Sequence, residues 1–127
     1  MPKVSKDSTP PVDQGGAGTE WRGELEGYTT SFVEVGADAD LTELLRGLPG
    51  DVCPSPHWGY VFTGRMWWRY PDHEESIGPG EAFHAPPGHT SGADEGTSFV
   101  IFSPSEVMAE VEAHMMRRAQ EGARIGR

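Results

Sequence analysis

The sequence has little cysteine, little positive charge and no long apolar run. Its single cysteine excludes an internal disulfide and is typical of a reducing compartment. Ten Lys and Arg against twenty Asp and Glu leave a formal charge of −10, whereas nucleic acids and anionic membranes require a basic face on their partner. No apolar stretch approaches bilayer length, and no charged-then-apolar leader is evident. We therefore expect a cytoplasmic protein that binds neither nucleic acid nor membrane.

Glycine and proline are abundant, at 17 and 11 of 127 residues, and they separate short segments rich in β-branched and aromatic residues. The spacing of these segments, about eight to twelve residues, is typical of a β-sandwich or barrel. A chain of this length makes one domain with a modest core. We predict strands over 28–35, 57–62, 65–70, 74–77, 82–85, 89–91 and 97–103, with 57–62 and 65–70 forming a hairpin about Gly64.

The remaining segments are a tail and two helices. Residues 1–20 carry almost no apolar side chains, so we expect a disordered tail, or an arm that orders only against a partner subunit. A capping-box pattern at Asp40 starts a short helix that Gly47 ends. A longer amphipathic helix follows Pro104, ends near Gly122, and packs across the barrel or against another subunit. The predicted division is a tail at 1–20, a barrel at 21–104 and a helix at 105–127.

Two segments of the predicted barrel each hinge on a glycine and bring a histidine to a strand end; they are Cys53–Gly64 and Gly80–His89. Gly80, Pro86 and Gly88 match the frame of the second conserved motif of the cupin superfamily, and Gly64 matches the end of the first. The chain thus resembles a small bacterial cupin. The resemblance implies an all-β fold, a small antiparallel jelly-roll barrel with a short helix in its N-terminal half and an α-helix at its C-terminus. Such barrels hold one small ligand in their mouth.

The resemblance does not extend to the metal ligands of the family. When the first motifs are aligned, the family's glutamate falls on His57 and its two histidines fall on Asp51 and Cys53. The histidine of the second motif falls on Ser91. This chain has His89 two residues earlier, on the same face of a strand. The candidate ligands are Cys53, His57 and His89, with Asp51 and His84 as further candidates.

Two imidazoles and a thiolate suit Zn, Fe, Ni or Cu and would not hold Mg or Ca. We therefore predict a divalent transition metal as cofactor, which could act as a Lewis acid, or bind oxygen if it were iron. By resemblance, the expected function is binding of a small organic molecule in the barrel, with dioxygenase or isomerase chemistry as the activity. The predicted ligand pocket comprises Tyr60, Trp68, Arg69 and His84.

Other interpretations of the same residues stay open. A histidine at a strand end is commonly a hydrogen-bonded structural residue, and a cysteine such as Cys53 is commonly a small buried apolar one. Arg69 can instead lie at the rim and pair with Glu74 or Glu75. The alternative function is a metal-free module that binds or senses a small molecule. A third is an interaction protein whose Met-rich helix and exposed tryptophans form the contact in a homodimer, the oligomer that we expect.

Overall fold

The computed structural model describes residues 3–13 and 17–124, and in this part of the chain ten strands form two antiparallel sheets. Sheet A contains, in spatial order, β1 (Pro11–Asp13), β2 (Gly18–Leu25), β3 (Tyr28–Val35), β10 (Ser98–Pro104), β5 (His57–Thr63) and β8 (Ala82–Ala85). Sheet B contains β4 (Ala39–Asp40), β9 (Thr90–Ala93), β6 (Met66–Arg69) and β7 (Glu74–Ile77). The helices are α1 (Thr42–Leu45) and α2 (Ser105–Arg124), with 3₁₀ turns at Lys6–Ser8 and Pro49–Asp51. The predicted fold class, all-β with a short helix and a C-terminal helix, is confirmed.

The main core lies between the two sheets, at strand positions that alternate inward. Along β5, His57 and Val61 are buried, whereas Trp58 and Tyr60 are exposed. We call the face of sheet A that meets the core its inner face and the opposite one its outer face. The core side chains are Val35, Val61, Met66, Trp68, Phe83, Ala85 and Ala93.

A second apolar cluster joins α2 to the rest of the molecule. Val111 of α2 packs with Leu45 of α1 and with Cys53, and all three side chains are buried. The helix continues through Gly122 to Arg124, so the predicted end near Gly122 is wrong. A glycine inside a helix costs about 1 kcal/mol relative to alanine and does not by itself end the helix. In the described part of the chain, no helix is long and apolar enough to cross a membrane.

The connection between β5 and β6 crosses from one sheet to the other, so the predicted hairpin is wrong. β5 pairs with β10 and β8, and β6 pairs with β7 and β9. Gly64 has a φ of 82°, and a Cβ there would lie 2.4 Å from the Cα of Thr97. The Thr97 hydroxyl accepts a hydrogen bond from Arg65 N and donates one to Arg65 O, both at 3.0 Å. These contacts with the segment before β10 direct the chain away from β5.

A strand lies within the segment that we expected to be a disordered tail. β1 pairs with β2, with Pro11 opposite Trp21, and β2 itself begins at Gly18. The Lys6 ammonium also lies 4.7 Å from the centroid of a Trp21 ring. Main-chain pairing with a strand needs few apolar side chains, which is why composition did not reveal it. Residues 1–2 and 14–16 lie outside the described part, and the division of the chain at residues 21 and 105 stays a prediction.

The short helix α1 begins and ends close to the predicted signals. Asp40 Oδ1 accepts hydrogen bonds from the hydroxyl and the main-chain N–H of Thr42, and these bonds lower the pKa of Asp40. Glu43 pairs with Arg46 instead of closing a capping box. Gly47 follows the helix with a φ of 103°, a conformation that favours glycine.

Candidate metal centre

Cys53, His57 and His89 come together on the inner face of sheet A. His57 is the first residue of β5 and is buried, Cys53 lies in the loop before it, and His89 directly precedes β9. Two main-chain hydrogen bonds join the two loops: Cys53 N donates to His89 O, and Gly88 N donates to Cys53 O, each at 2.8 Å. Prolines flank both segments and restrict their backbones. The main chain therefore sets the relative positions of the three side chains.

The ligand atoms of these residues are close enough for one ion. Cys53 Sγ lies 3.6 Å from His57 Nε2, and one ligand atom from each of the three residues lies within 4.8 Å of the other two. In a tetrahedral zinc site with ordinary bond lengths, a sulfur and a nitrogen ligand are about 3.5 Å apart. The side chains are 4%, 5% and 1% exposed for Cys53, His57 and His89. The donor set and its spacing fit a borderline-soft transition metal.

Hydrogen bonds fix the ring orientation of both histidines. His89 Nδ1 donates to the Pro86 carbonyl at 2.8 Å, which leaves Nε2 as the ring atom with a lone pair. His57 Nδ1 lies 2.7 Å from Ser103 Oγ, and when the serine accepts this bond, Nε2 of His57 is the free acceptor as well. His89 Nε2 is buried and has no hydrogen-bond partner among the described residues. A buried acceptor without a partner is costly, which favours a bound ligand at this atom.

Burial keeps the three groups uncharged. It lowers the pKa of His57 to about 3, with a smaller contribution from His89. It also lowers the pKa of His89, against the opposing effect of the Pro86 hydrogen bond, and raises the pKa of the Cys53 thiol. Both imidazoles are therefore neutral at pH 7, as metal ligation requires, while the thiol must release its proton when a metal binds.

The two further candidates, Asp51 and His84, lie outside this cluster. The Asp51 side chain is exposed and accepts a hydrogen bond from Gly47 N at 2.9 Å. His84 lies on the outer face of sheet A, where its ring stacks on Trp58 with the centroids 4.9 Å apart. Alternation along β8 buries Phe83 and leaves His84 exposed. As ligands of this centre, both further candidates are wrong.

A cavity of about 170 Å³ adjoins the cluster; it is lined by Trp68, Tyr70, Glu75, Ile77, Ala82, Phe83 and His84. The Trp68 ring joins the cavity to the cluster, because it stacks on His57 at a centroid distance of 5.5 Å and meets the His89 ring at 4.8 Å. The Tyr70 ring lies 5.9 Å from that of His89, and its hydroxyl donates to the Pro86 carbonyl that also orients His89. None of the three candidate metal ligands lines this cavity, so a small ligand in it would be separated from the two histidines by the Trp68 and Tyr70 rings.

Of the four residues predicted to line the ligand pocket, Trp68 borders the cavity, and Tyr60 and Arg69 do not. His84 also borders it, since it lies on the edge strand β8, although its ring stacks on Trp58 on the outer face. Tyr60 is 40% exposed on the outer face, because alternation along β5 turns it away from the core. Arg69 Nε donates to Glu74 Oε1 at 3.0 Å, which is the rim pairing that the sequence left open. Its guanidinium also lies 4.4 Å from the centroid of a Trp67 ring. The pocket predictions for Tyr60 and Arg69 are therefore wrong.

Three residues of the site were not anticipated from the sequence: Ser103, Tyr70 and Glu75. Glu75 lies directly opposite Trp68 in the pairing of β6 with β7. The predicted turn at 71–73 does not give this register, because it would place Ser76 opposite Trp68 and Glu75 opposite Arg69. No sequence signal marks Ser103, since its contact with His57 joins two strands that are distant in the chain.

No family model matches this chain, and no curated protein matches its sequence. Solved structures do resemble it. An RmlC-like cupin from Shewanella frigidimarina matches with a TM-score of 0.55 at 17% identity, covering 82% of this chain and 92% of its own. A sugar phosphate isomerase of the cupin superfamily from Silicibacter pomeroyi has a TM-score of 0.55 at 16% identity, covering 81% and 75%. The polyketide cyclase RemF from Streptomyces resistomycificus has a TM-score of 0.55 at 21% identity, covering 82% and 79%. Together with the two-sheet topology, these similarities confirm that the chain has the cupin fold.

Proposed function

We propose that this protein binds a divalent transition metal and, next to it, a small organic molecule. Cys53, His57 and His89 would hold the metal, of the group Zn, Fe, Ni and Cu, and the adjacent cavity would hold the organic ligand. The observation that carries the proposal is the convergence of three buried ligand atoms within 4.8 Å of one another. A bound metal would supply Lewis-acid chemistry, or oxygen chemistry if it were iron, so isomerase and dioxygenase activities are the two to assay.

The chain's own residues would orient the ligands and exclude water. Ser103 and the Pro86 carbonyl hold the two imidazoles at their Nδ1 atoms, so that both Nε2 atoms are available. Trp68, which is 4% exposed, packs on both rings and shields them from solvent. Three protein ligands leave a coordination position open, as catalytic sites require.

A metal-free binding module is the alternative, and one observation favours it. His57 already has the Ser103 hydroxyl at 2.7 Å and the Cys53 thiol at 3.6 Å, so a protonated thiol can satisfy this ring without a metal. In that case the small molecule alone would occupy the cavity, in contact with Trp68 and Tyr70. The two functions share the cavity, and metal content separates them.

Elemental mass spectrometry of tag-free protein tests the metal centre. After incubation with Zn, Fe, Ni and Cu salts and removal of excess metal, the parent should retain about one equivalent, because buried thiolate and imidazole ligands release such ions slowly. His57→Ala and His89→Ala should lose it. His84→Ala is the matched control, a histidine of the outer face, and should keep it. A metal-free parent, or equal loss in the His84 variant, would contradict the proposal.

We also propose that the protein forms a homodimer through the outer face of sheet A. Four large aromatic side chains are exposed on this face: Tyr28 at 42%, Trp58 at 39%, Tyr60 at 40% and Phe62 at 46%. Monomeric proteins rarely expose such a patch, and interface cores are rich in aromatic side chains and poor in charge. The occupant that fits is a second copy. Because the chain carries a net charge of −10, two copies can approach most easily through the aromatic side chains of this face, where the charges of Lys6 and Glu34 pair with each other.

Sedimentation analysis tests this contact. The parent should sediment as a dimer at micromolar concentration, and Trp58→Arg combined with Tyr60→Arg should give a monomer, since charges buried in the interface would be unpaired. Met116→Arg is the control, because Met116 is 64% exposed on α2. A monomeric parent would contradict the proposal, and dissociation by the Met116 variant alone would assign the contact to the helix instead.

We propose a cytoplasmic location because of the single cysteine of the chain. The one cysteine of the chain lies in the candidate centre as a free thiol, and thiols persist in reducing compartments. Cell fractionation that finds the protein outside the cytoplasm would contradict this location.

A further inference from the structure

The cavity near the candidate metal centre is lined by aromatic side chains and one carboxylate. Three of its lining residues are aromatic, namely Trp68, Tyr70 and Phe83, and one, Glu75, carries a carboxylate. None of the residues that line it is a lysine or an arginine. Its volume is about 170 Å³. Aromatic residues and one carboxylate therefore line the cavity together.

Glu75 belongs to the cavity because of its register on β7. It lies opposite the buried Trp68, whereas the preceding residue, Glu74, lies opposite Arg69 and pairs with it on the other side of the sheet. The Glu75 side chain is 58% exposed, and its Oε2 is 3.2 Å from His73 Nε2. It thus stands at the mouth of the cavity. The charge of Glu75 acts on Tyr70 in the cavity lining. Burial raises the pKa of Tyr70, and the Glu75 carboxylate raises it further.

We propose that this cavity binds a small organic ammonium, with the aromatic rings against the cation and Glu75 as its counter-ion. The proposal names the ligand of the cavity assigned above and rests on that assignment. Aromatic faces attract desolvated cations, and a set of aromatic walls is the usual way in which proteins recognise substituted ammonium groups. A carboxylate at the mouth supplies the compensating charge that a buried cation needs.

The same walls disfavour anionic ligands. A phosphate or carboxylate would meet the Glu75 charge, and no lysine or arginine of the lining would pair with it. The favoured ligand therefore carries one positive charge and no anionic group.

Choline and 3,3-dimethyl-1-butanol form a matched pair of probes, because they have the same shape and hydroxyl group and differ only in the charged nitrogen. Calorimetric titration of the parent should show choline binding at least about tenfold more tightly than the alcohol. Glu75→Gln should reduce this preference and leave the affinity for the alcohol unchanged, because the aromatic rings still attract the cation. Glu74→Gln is the matched control, since that carboxylate pairs with Arg69 outside the cavity, and it should keep the preference.

Three results would overturn the proposal: equal affinities of the parent for the two probes, no measurable binding of choline, or an unchanged preference in Glu75→Gln. Both titrations are run on chelator-treated and on Zn-loaded protein, which separates the proposals. If the protein takes up no metal but prefers choline, the proposed ammonium site is supported and the proposed metal centre is refuted. If it binds metal but shows no preference for choline, only the metal centre is supported.

Discussion

His57 and Trp58 are neighbours in the sequence, and they show how different the two faces of sheet A are. On the inner face, His57 is 5% exposed and lies among polar groups that a small core would ordinarily avoid. On the outer face, Trp58 is 39% exposed and lies in an aromatic patch that solvent would ordinarily not meet. Strand alternation thus places buried polar groups on one face of the sheet and exposed aromatic side chains on the other, and the proposals above give each face its own binding role.

The largest expected difference is between the two tryptophans. Trp68→Ala should lower the free energy of unfolding by about 3–5 kcal/mol, because it empties the space between the sheets. Trp58→Ala should cost less in the monomer, since Trp58 is 39% exposed and its removal opens no space between the sheets. Urea denaturation of metal-free protein at high dilution measures both. Equal losses would show that the outer face is as much part of the core as the inner one.

The second largest expected effect is the loss of folding stability at acid pH, which arises from His57 on the inner face. The pKa of His57 in the folded state is about 3, below its ordinary value, so the unfolded chain takes up this proton first as the pH falls. Stability is therefore full above about pH 6.5 and falls below it, by about 1.4 kcal/mol per pH unit for such a group. Between pH 7 and 5, metal-free parent should lose about 2 kcal/mol more than His57→Gln. Denaturation curves at both pH values test this, and an identical loss in the variant would refute it.

The smallest of the three effects concerns two serines of β10. Ser103→Ala removes the hydroxyl that orients His57 and should weaken metal affinity by about tenfold, the lower end for such supporting groups. Ser98→Ala is the counterpart on the outer face, where its hydroxyl lies 2.7 Å from Thr63 Oγ1, and it should leave affinity unchanged. Competition with a chromophoric chelator measures both affinities. Equal effects would mean that the serine contact does not orient the ligand.

Much of the fold followed from short-range patterns. Glycine and proline spacing predicted seven of the ten described strands and missed β1, β2 and β4. The frame of Gly80, Pro86 and Gly88 identified the cupin fold. The same frame brought Cys53, His57 and His89 forward as a set, and the structure places them together. These predictions succeeded because each depends on turn geometry or on alternation within one segment.

The errors arose because alternation along a strand places successive side chains on opposite faces but does not show which face is inward. Tyr60 and Arg69 were assigned to the cavity, yet the inward positions of their strands are those of Val61 and Trp68. Contacts such as that of Ser103 with His57 depend on which strands become neighbours. Pairing of distant strands is decided by the whole core, so the sequence of a single segment does not reveal it.

The crossing at Gly64 also determines when sheet A can form. Because β5 does not pair with the strand that follows it, its partners β8 and β10 are synthesised only later. Contacts between distant segments slow folding, and an unpaired strand is open to association with other chains in the meantime. The side chains that β5 would expose during this interval include Trp58, Tyr60 and Phe62. The yield of native protein should therefore depend on chain concentration and on temperature during synthesis more than its modest size suggests.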